Sequence, residues 1–464
     1  MIAALAIAVM GLPSLCSQKS LADTLEGALA LAYQNNPQLN AQRAASRALD
    51  ENVPQALSGY RPRVSLTTTV ASQYQKTLSK TPGPNGGPVY ISSEFTFTPH
   101  TVGLTATQTL FNGFQTANRT RQAESQVSAG RATLAVTDQT ILLNAATAYM
   151  NLLRDSAILD LQRRNVEVLQ EQLRQTRDRF NVGEVTRTDV AQAESRLAAG
   201  RSQVLTAESN YVTSKAVYRQ VIGVDPGKLA PGSPVDRLSP RTLNEAIVVG
   251  RELNPNVAAA MFGIDAQLLQ VKINEGALLP TVTATLSAQQ AWETNTTTLL
   301  RQFNASLLGQ VTVPIYQGGS EYSLIRQSKE TLGQRRIDLE TTRDNVQALV
   351  VQSWGQLEAA KAQIQATQAQ VNAAEIALNG VREEARVGQR TTLDVLNAQQ
   401  ELVNARVALV TAQRDRVVAS YNLLASVGNL AVSVLGLNVP VYDSSVHYQQ
   451  IRDSWVGLRN PDGR

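Results

Sequence analysis

The chain has 464 residues, 42 Lys+Arg against 38 Asp+Glu, a formal net charge of +4, 43% apolar residues and only 17% charged ones. A single cysteine excludes a disulfide framework and any multi-cysteine metal site within one chain. His100 and His447 stand too far apart to supply a metal-ligand spacing, and no run of Lys or Arg forms the basic cluster that nucleic acids require. Nucleic-acid binding is therefore not expected, and an enzyme is an unpromising answer.

The first residues have the pattern of an export signal. Residues from Ile2 to Leu12 are apolar or small, Pro13 and Ser14 end the run, and Ser20-Leu21-Ala22 supplies the small residues that signal peptidase needs. A signal peptide over 1–22 and a mature start near Asp23 are expected, although no Lys or Arg precedes the apolar core. Cys16 raises lipidation, against which stands Leu15 where such a site usually has a small residue. Beyond residue 22 no stretch approaches the roughly 20 consecutive apolar residues of a transmembrane helix.

Long-range self-similarity organises the rest. The segment from Thr24-Leu25-Glu26 to Asn36-Pro37 matches Thr242-Leu243-Asn244 to Asn254-Pro255, and Pro62-Arg63-Val64 matches Pro280-Thr281-Val282 at the same offset. Phe111-Asn112-Gly113 then matches Tyr316-Gln317-Gly318, and Val182-Gly183 matches Val387-Gly388, at a shorter offset. The difference falls in the Pro/Gly-rich loop Thr81 to Pro88. The chain reads as repeat 1 over 23–226, a linker over 227–241, repeat 2 over 242–430 and a tail over 431–464.

In chain order each repeat first offers strands. Val64, Leu66, Val70 and Tyr74 share one parity, as do Val282, Leu286 and Ala288, and Phe303, Leu307 and Val311. Thr, Ser and Gln between them predict strands with one dry and one wet face, over about 62–76, 93–108, 280–293 and 300–313, with a phase slip near Pro99. After them, residues 100–225 and 315–439 hold no proline, so very long helices are permitted. Leu152, Leu159, Val166, Leu173 and Phe180 recur every seven, as do Leu357, Ile364, Val371 and Leu378; Val190, Leu197, Val204 and Tyr211 continue the step. That period predicts coiled-coil hairpins over about 112–222 and 318–428, the first rod being about 100 Å long. Gly183 and Gly388 suit the left-handed residue past a helix end, and Thr186 and Thr391 stand as N-caps with Asp189 and Asp394 three residues on.

Two soluble hairpins packed on helices would satisfy the alternation alone. If the strands cross a membrane, however, they must close a barrel, since an open edge leaves backbone groups unpaired in lipid. Four strands fall short of the eight of the smallest outer-membrane barrels, so several copies would have to share one.

This layout, with Arg179-Phe180-Asn181-Val182-Gly183 to Thr188-Asp189-Val190 and Val387-Gly388-Gln389-Arg390-Thr391-Thr392-Leu393-Asp394-Val395-Leu396-Asn397, resembles the TolC family of outer-membrane channel-tunnels. The resemblance spans nearly the whole mature chain. It implies a mixed, mainly α fold with two internal repeats, in which three chains build a 12-stranded transmembrane β-barrel and a long periplasmic α-barrel. The linker and tail would form an equatorial collar. It also implies outer-membrane lipid as surroundings, a periplasmic adaptor (membrane fusion protein) and an inner-membrane pump of RND, ABC or MFS type as partners, no cofactor and no catalytic residue. The duct would pass drugs or secreted proteins outward.

By the same resemblance Asp394 matches the first aspartate of the ring that narrows the tunnel mouth, a possible cation site, and Asn397 stands where the family's second ring aspartate would be. Arg390 matches the arginine that ties the inner helical pair to its neighbour, and Asp189 one of its acceptors. Ala385 replaces an aromatic that some relatives carry. The turns Val182-Gly183 and Val387-Gly388, with Thr391, are the expected adaptor contacts. Position alone offers plainer roles: carboxylates complementing helix dipoles, a solvated arginine and helix punctuation. A soluble periplasmic coiled-coil adaptor remains the alternative, though it would need one hairpin and a lipoyl-like domain. An enzyme would need a metal cluster, a phosphate-cradling loop or a nucleophile near a histidine.

Overall fold

The computed structural model describes residues 24–84, 86–295 and 299–461; the expected signal peptide and Cys16 lie outside them. In chain order the elements are α1 (Leu25–Asn35), α2 (Pro37–Asp50), α3 (Asn52–Leu57), β1 (Arg63–Val70), β2 (Gln73–Pro82), β3 (Pro88–Phe97), β4 (His100–Asn112), α4 (Gln115–Asn181) and α5 (Arg187–Ile222). There follow α6 (Leu243–Leu253), α7 (Pro255–Gly276), β5 (Thr281–Asn295), β6 (Leu299–Thr312), α8 (Ser320–Arg386), α9 (Thr392–Val427), α10 (Val432–Leu435) and α11 (Ser444–Ile451). The chain divides into two compact units, one made of residues up to Ser46 with Gly130–Ala260 and Leu339–Ser444, the other of Arg47–Ala129, Met261–Asp338 and the residues from Ser445 on.

The first unit is helical. The seven-residue stripe places Leu152, Leu159 and Leu173 of α4, and Leu357, Val371 and Leu378 of α8, in buried positions, where they meet α5 and α9 as coiled-coil seams do. The main core joins α1 to the middle of α4 and the ends of α5 and α9 through Leu29, Leu142, Tyr149, Tyr218, Tyr421 and Leu424. The linker is fastened to it: the Tyr149 hydroxyl donates to the Ala230 carbonyl at 2.7 Å, and the Val235 N–H donates to Ser420 Oγ at 3.1 Å.

The duplicated Asn-Pro pairs acquire a physical reason here. Asn36 and Asn254 are buried, 6% and 2% exposed, and each opens a helix whose first residue is proline, a position where a missing N–H costs nothing. Asn36 Oδ1 accepts the Gln38 N–H at 2.9 Å, while its amide donates to the Val221 carbonyl at 3.0 Å. Asn254 repeats this with the Asn256 N–H and the Ser426 carbonyl, both at 2.9 Å. One side chain thus caps the start of one helix and satisfies the end of another. Gly223 and Gly428, at φ 89° and 92°, close α5 and α9 in the left-handed conformation.

The second unit carries the strands. One antiparallel sheet has the order β1-β4-β5-β6, and β2 pairs with β3 in a separate ribbon. The strands expected over 62–76 and 93–108 are corrected by this arrangement. Each is interrupted, at Ala71-Ser72 and at Thr98-Pro99, and together they run on to Pro82 and begin again at Pro88. Proline offers no N–H to a ladder; at the break the Pro99 carbonyl accepts from Ala71 N–H at 3.0 Å, which holds the two halves of the hairpin in line. Below the sheet, Gly113 sits at φ 63°, and a Cβ built on it would lie 2.1 Å from the Gly276 carbonyl oxygen. Only glycine permits that approach between the β4–α4 corner and the end of α7.

Candidate functional site

Two surfaces can carry function: the faces of the sheet, and the turns that end the helical hairpins. Register sorts the sheet residues. Leu66, Leu104, Ala288 and Ala305 lie opposite one another across all four strands, and Val64, Ala106, Leu286 and Leu307 form the neighbouring row on the same face. Leu66 is 69% exposed and Leu307 77%. The other face carries Ser65, Thr105, Ser287 and Ser306, Thr67 with Gly103 and Gln289, and Asn304, with Leu308 as its exception. Cross-strand hydroxyls meet there, Ser287 with Ser306 at 2.8 Å.

The apolar face has a definite height. From Val282 to Trp292 the strand rises by ten steps, about 33 Å at ~3.3 Å each, which at a tilt of about 40° stands roughly 25 Å tall, the band of outer-membrane barrels. Its end away from the helices is marked by the row Val70, His100, Trp292 and Arg301. The His100 ring stacks on Trp292, 5.2 Å between centroids and 14° between planes. Sequence parity found the alternation; only register shows that the four strands align it into one continuous band. Among the described residues no helix is long and apolar enough to cross a membrane.

The helical tips belong to the other unit. α4 ends with the Gly183 N–H on the Phe180 carbonyl (3.0 Å) and the Glu184 N–H on the Arg179 carbonyl (2.9 Å); α8 repeats this with Gly388 on Ala385 (3.2 Å) and Gln389 on Glu384 (2.9 Å). Both are glycine-closed helix ends, with Gly183 at φ 82° and Gly388 at φ 78°. The next helices open with reciprocal capping boxes. Asp189 Oδ2 accepts the Thr186 N–H at 2.9 Å and Thr186 Oγ1 accepts the Asp189 N–H at 3.3 Å; for Thr391 and Asp394 the distances are 3.0 and 3.2 Å. These bonds favour the ionised form. Thr186 holds the Asp189 carboxyl below the ordinary aspartate range, and the Thr391 backbone and hydroxyl do the same for Asp394. Val182 and Val387, 72% and 71% exposed, stand bare beside them.

Within one chain the expected gate residues are not all gathered together. Arg390 Nε donates to Glu384 Oε2 at 2.8 Å across its own turn, rather than to Asp189. Asn397 is joined to the first repeat: Arg196 Nη2 donates to its Oδ1 at 2.7 Å. Beside it Leu396 is buried with Leu169, Leu173, Ala193 and Leu197. The Arg196 contact was missed in the sequence, since nothing in the α5 heptads distinguishes that arginine from its solvated neighbours. A groove of about 680 Å³ lies between α4 and α8 here, lined by Glu171, Arg179, Arg382, Ala385 and Arg386. Among the described residues no cluster of His, Cys, Asp and Glu could hold a metal ion.

Comparison with known proteins follows both repeats. The sequence model of the outer membrane efflux protein family matches residues 28–224 and 248–429. The chain is 41% identical over 451 residues to outer membrane efflux protein BepC of Brucella suis biovar 1 (strain 1330), covering 97% of this chain and 95% of that one. It is 27% identical over 410 residues to outer membrane protein TolC of Escherichia coli (strain K12), covering 83% and 80%. Of solved structures, the CmeC outer membrane channel of Campylobacter jejuni shares the fold with a TM-score of 0.74 at 17% identity, covering 92% of this chain and 89% of that one. VceC of Vibrio cholerae does so with a TM-score of 0.71 at 18% identity, covering 87% and 96%. With the two repeats matched in turn and a relative shared almost end to end, the chain belongs to the outer membrane efflux protein family.

Proposed function

We propose that three copies of this outer-membrane exit duct share one 12-stranded barrel and one helical tunnel, without chemistry of their own. The protein resides in the outer membrane with its helical tunnel in the periplasm. The observation that carries the trimer is the sheet: four strands with an apolar face exposed along about 25 Å, and β1 and β6 each paired on one side only. In hydrocarbon those edges need partners, and β6 of one copy against β1 of the next supplies them. Apolar side chains left exposed on α5 and α8, Leu205, Val212, Ile337 and Ile376 among them, support further contact between copies. The polar face then lines the pore.

The cargo arrives through a periplasmic adaptor from an inner-membrane pump, of the RND, ABC or MFS type. The bare valines at both turns and the charged groove between α4 and α8 support the tips as the adaptor's seat. Three copies of Asp394 around the axis concentrate negative charge and attract cations. Arg390 and Asp189 act between neighbouring copies as a latch. Asn397, held by Arg196, adds no second ring of charge. The linker and tail, together with the ends of the repeats, form the collar.

Two measurements test this. A trimer resistant to SDS in unboiled outer-membrane fractions is expected; a stable, detergent-free monomer would exclude the shared barrel. In planar bilayers Arg390→Ser should raise conductance, and an unchanged conductance removes the latch while leaving the duct intact.

A further inference from the structure

We propose that the distal rim of the apolar band binds the phosphate of an anionic lipid headgroup, with Arg301 as its ligand beside the His100–Trp292 stack. The inference rests on the lipid-facing reading of the band. Register puts Arg301 directly opposite Trp292, which is itself opposite His100, so the three share the apolar face in one row. The rings stack at 5.2 Å, a flat amphipathic pair of the kind that settles at the headgroup level. Arg301 is exposed and none of the described acidic residues pairs with it. A guanidinium on the lipid face, at the top of a band as tall as the hydrocarbon layer, meets headgroups first. Its planar fork matches two phosphate oxygens, which a lysine does only as a point charge. Phosphate is also the one anion continuous with the apolar surface below it, because the acyl chains that cover Phe303 and Leu286 hang from it.

The test uses the full-length trimer with Trp354→Phe and Trp455→Phe, which leaves Trp292 as the sole tryptophan of the original three. It is reconstituted in vesicles of phosphatidylcholine with phosphatidylglycerol, one lipid or the other carrying dibrominated acyl chains that quench nearby indoles. Brominated phosphatidylglycerol should quench Trp292 with about fivefold higher relative affinity than brominated phosphatidylcholine, the preference that one cation near a charged surface confers. Arg301→Gln should bring the ratio to about one, and Arg301→Lys should keep a smaller preference. A ratio of one in the unmutated row, or a preference that survives Arg301→Gln, overturns the inference. Loss of the preference in inorganic phosphate but not in chloride of equal ionic strength would assign the site to free phosphate and likewise overturn it. Absence of quenching by either lipid would instead remove the band from the membrane, and with it the barrel.

Discussion

In the first repeat α1 buries Leu25 and the whole run from Gly27 to Tyr33, whereas its counterpart α6 buries Ala246 and Gly250 and leaves Val248 54% and Leu253 61% exposed. Both helices open alike, with Thr24 and Thr242 accepting a backbone N–H at 3.1 and 3.2 Å, and both end at a buried asparagine followed by proline. Duplication kept the local frame, the caps and corners that each helix needs for itself. What the frame buries is decided by position in the fold. The strands diverge similarly, since β5 and β6 make one hairpin in the main sheet while their counterparts extend into the β2–β3 ribbon. At the tips an ion pair bridges each turn with its polarity exchanged: Arg179 to Glu184 at 3.0 Å in one, Arg390 to Glu384 at 2.8 Å in the other.

The matched glycines give the widest separation between repeats. Gly113→Ala forces a Cβ against the Gly276 carbonyl as well as a left-handed alanine, whereas at Gly318, φ 72°, nothing lies within 4 Å. Thermal unfolding of the protein should show a loss of roughly 4 kcal/mol or more for Gly113→Ala, and about 1 kcal/mol for Gly318→Ala. Equal losses would mean that the two corners do the same work. Next come the corner asparagines: Asn36→Ala and Asn254→Ala each leave a helix-end carbonyl without its partner and uncap a helix, so denaturant titration should show a loss of about 2–3 kcal/mol apiece. A large loss at one site alone would break the symmetry claimed for the corners.

A third contrast runs the other way. Asp138 in α4 has a buried carboxyl oxygen with no hydrogen-bond partner, and burial raises its pKa to about 6, against the opposing pull of Arg43. The equivalent position in α8 is Arg343, which is exposed enough to pair with Glu340 at 2.7 Å. A carboxyl whose folded pKa lies above its unfolded value binds extra protons in the folded state, so stability falls as pH rises from about 4 to 6 and levels off above. Asp138→Asn should therefore stabilise the protein at pH 7 by about 1–2 kcal/mol after allowance for solvent screening, with no gain below pH 4. A constant difference across that range would exclude the titration.

The caps are the smallest effect. Thr186→Ala and Thr391→Ala should each cost about 1 kcal/mol, read as faster amide exchange in the first turns of α5 and α9. The depressed carboxyls of Asp189 and Asp394 confer stability that is present above the ordinary aspartate pKa and lost as pH falls through their own, so both tips should fray in acid.

How far residues spoke in advance depended on the range over which they act. Gly183, Thr186 and Asp189 are satisfied within a few positions of themselves, and Leu152 and Leu159 answer to a seven-residue period, so helices and caps were legible. The Asn36-Pro37 repeat was visible as a repeat but not as a corner, because its partner carbonyl at Val221 lies far along the chain. Arg196 with Asn397 and the row joining His100, Trp292 and Arg301 depend on pairing between segments hundreds of positions apart or on exact register, which no local pattern encodes. The break at Pro99 showed as a slip of phase, while the further reach of β2 did not, since beyond Leu78 it offers only Ser79, Lys80, Thr81 and Pro82, without an apolar side.

The rods come in identical sizes, 67 residues in α4 and in α8, 36 in α5 and in α9. Each hairpin is therefore a gauge for its twin. An insertion in one rod would carry its turn past the other's and uncouple Arg196 from Asn397, so length changes in this protein must occur in both halves together, and in whole multiples of the seam's period.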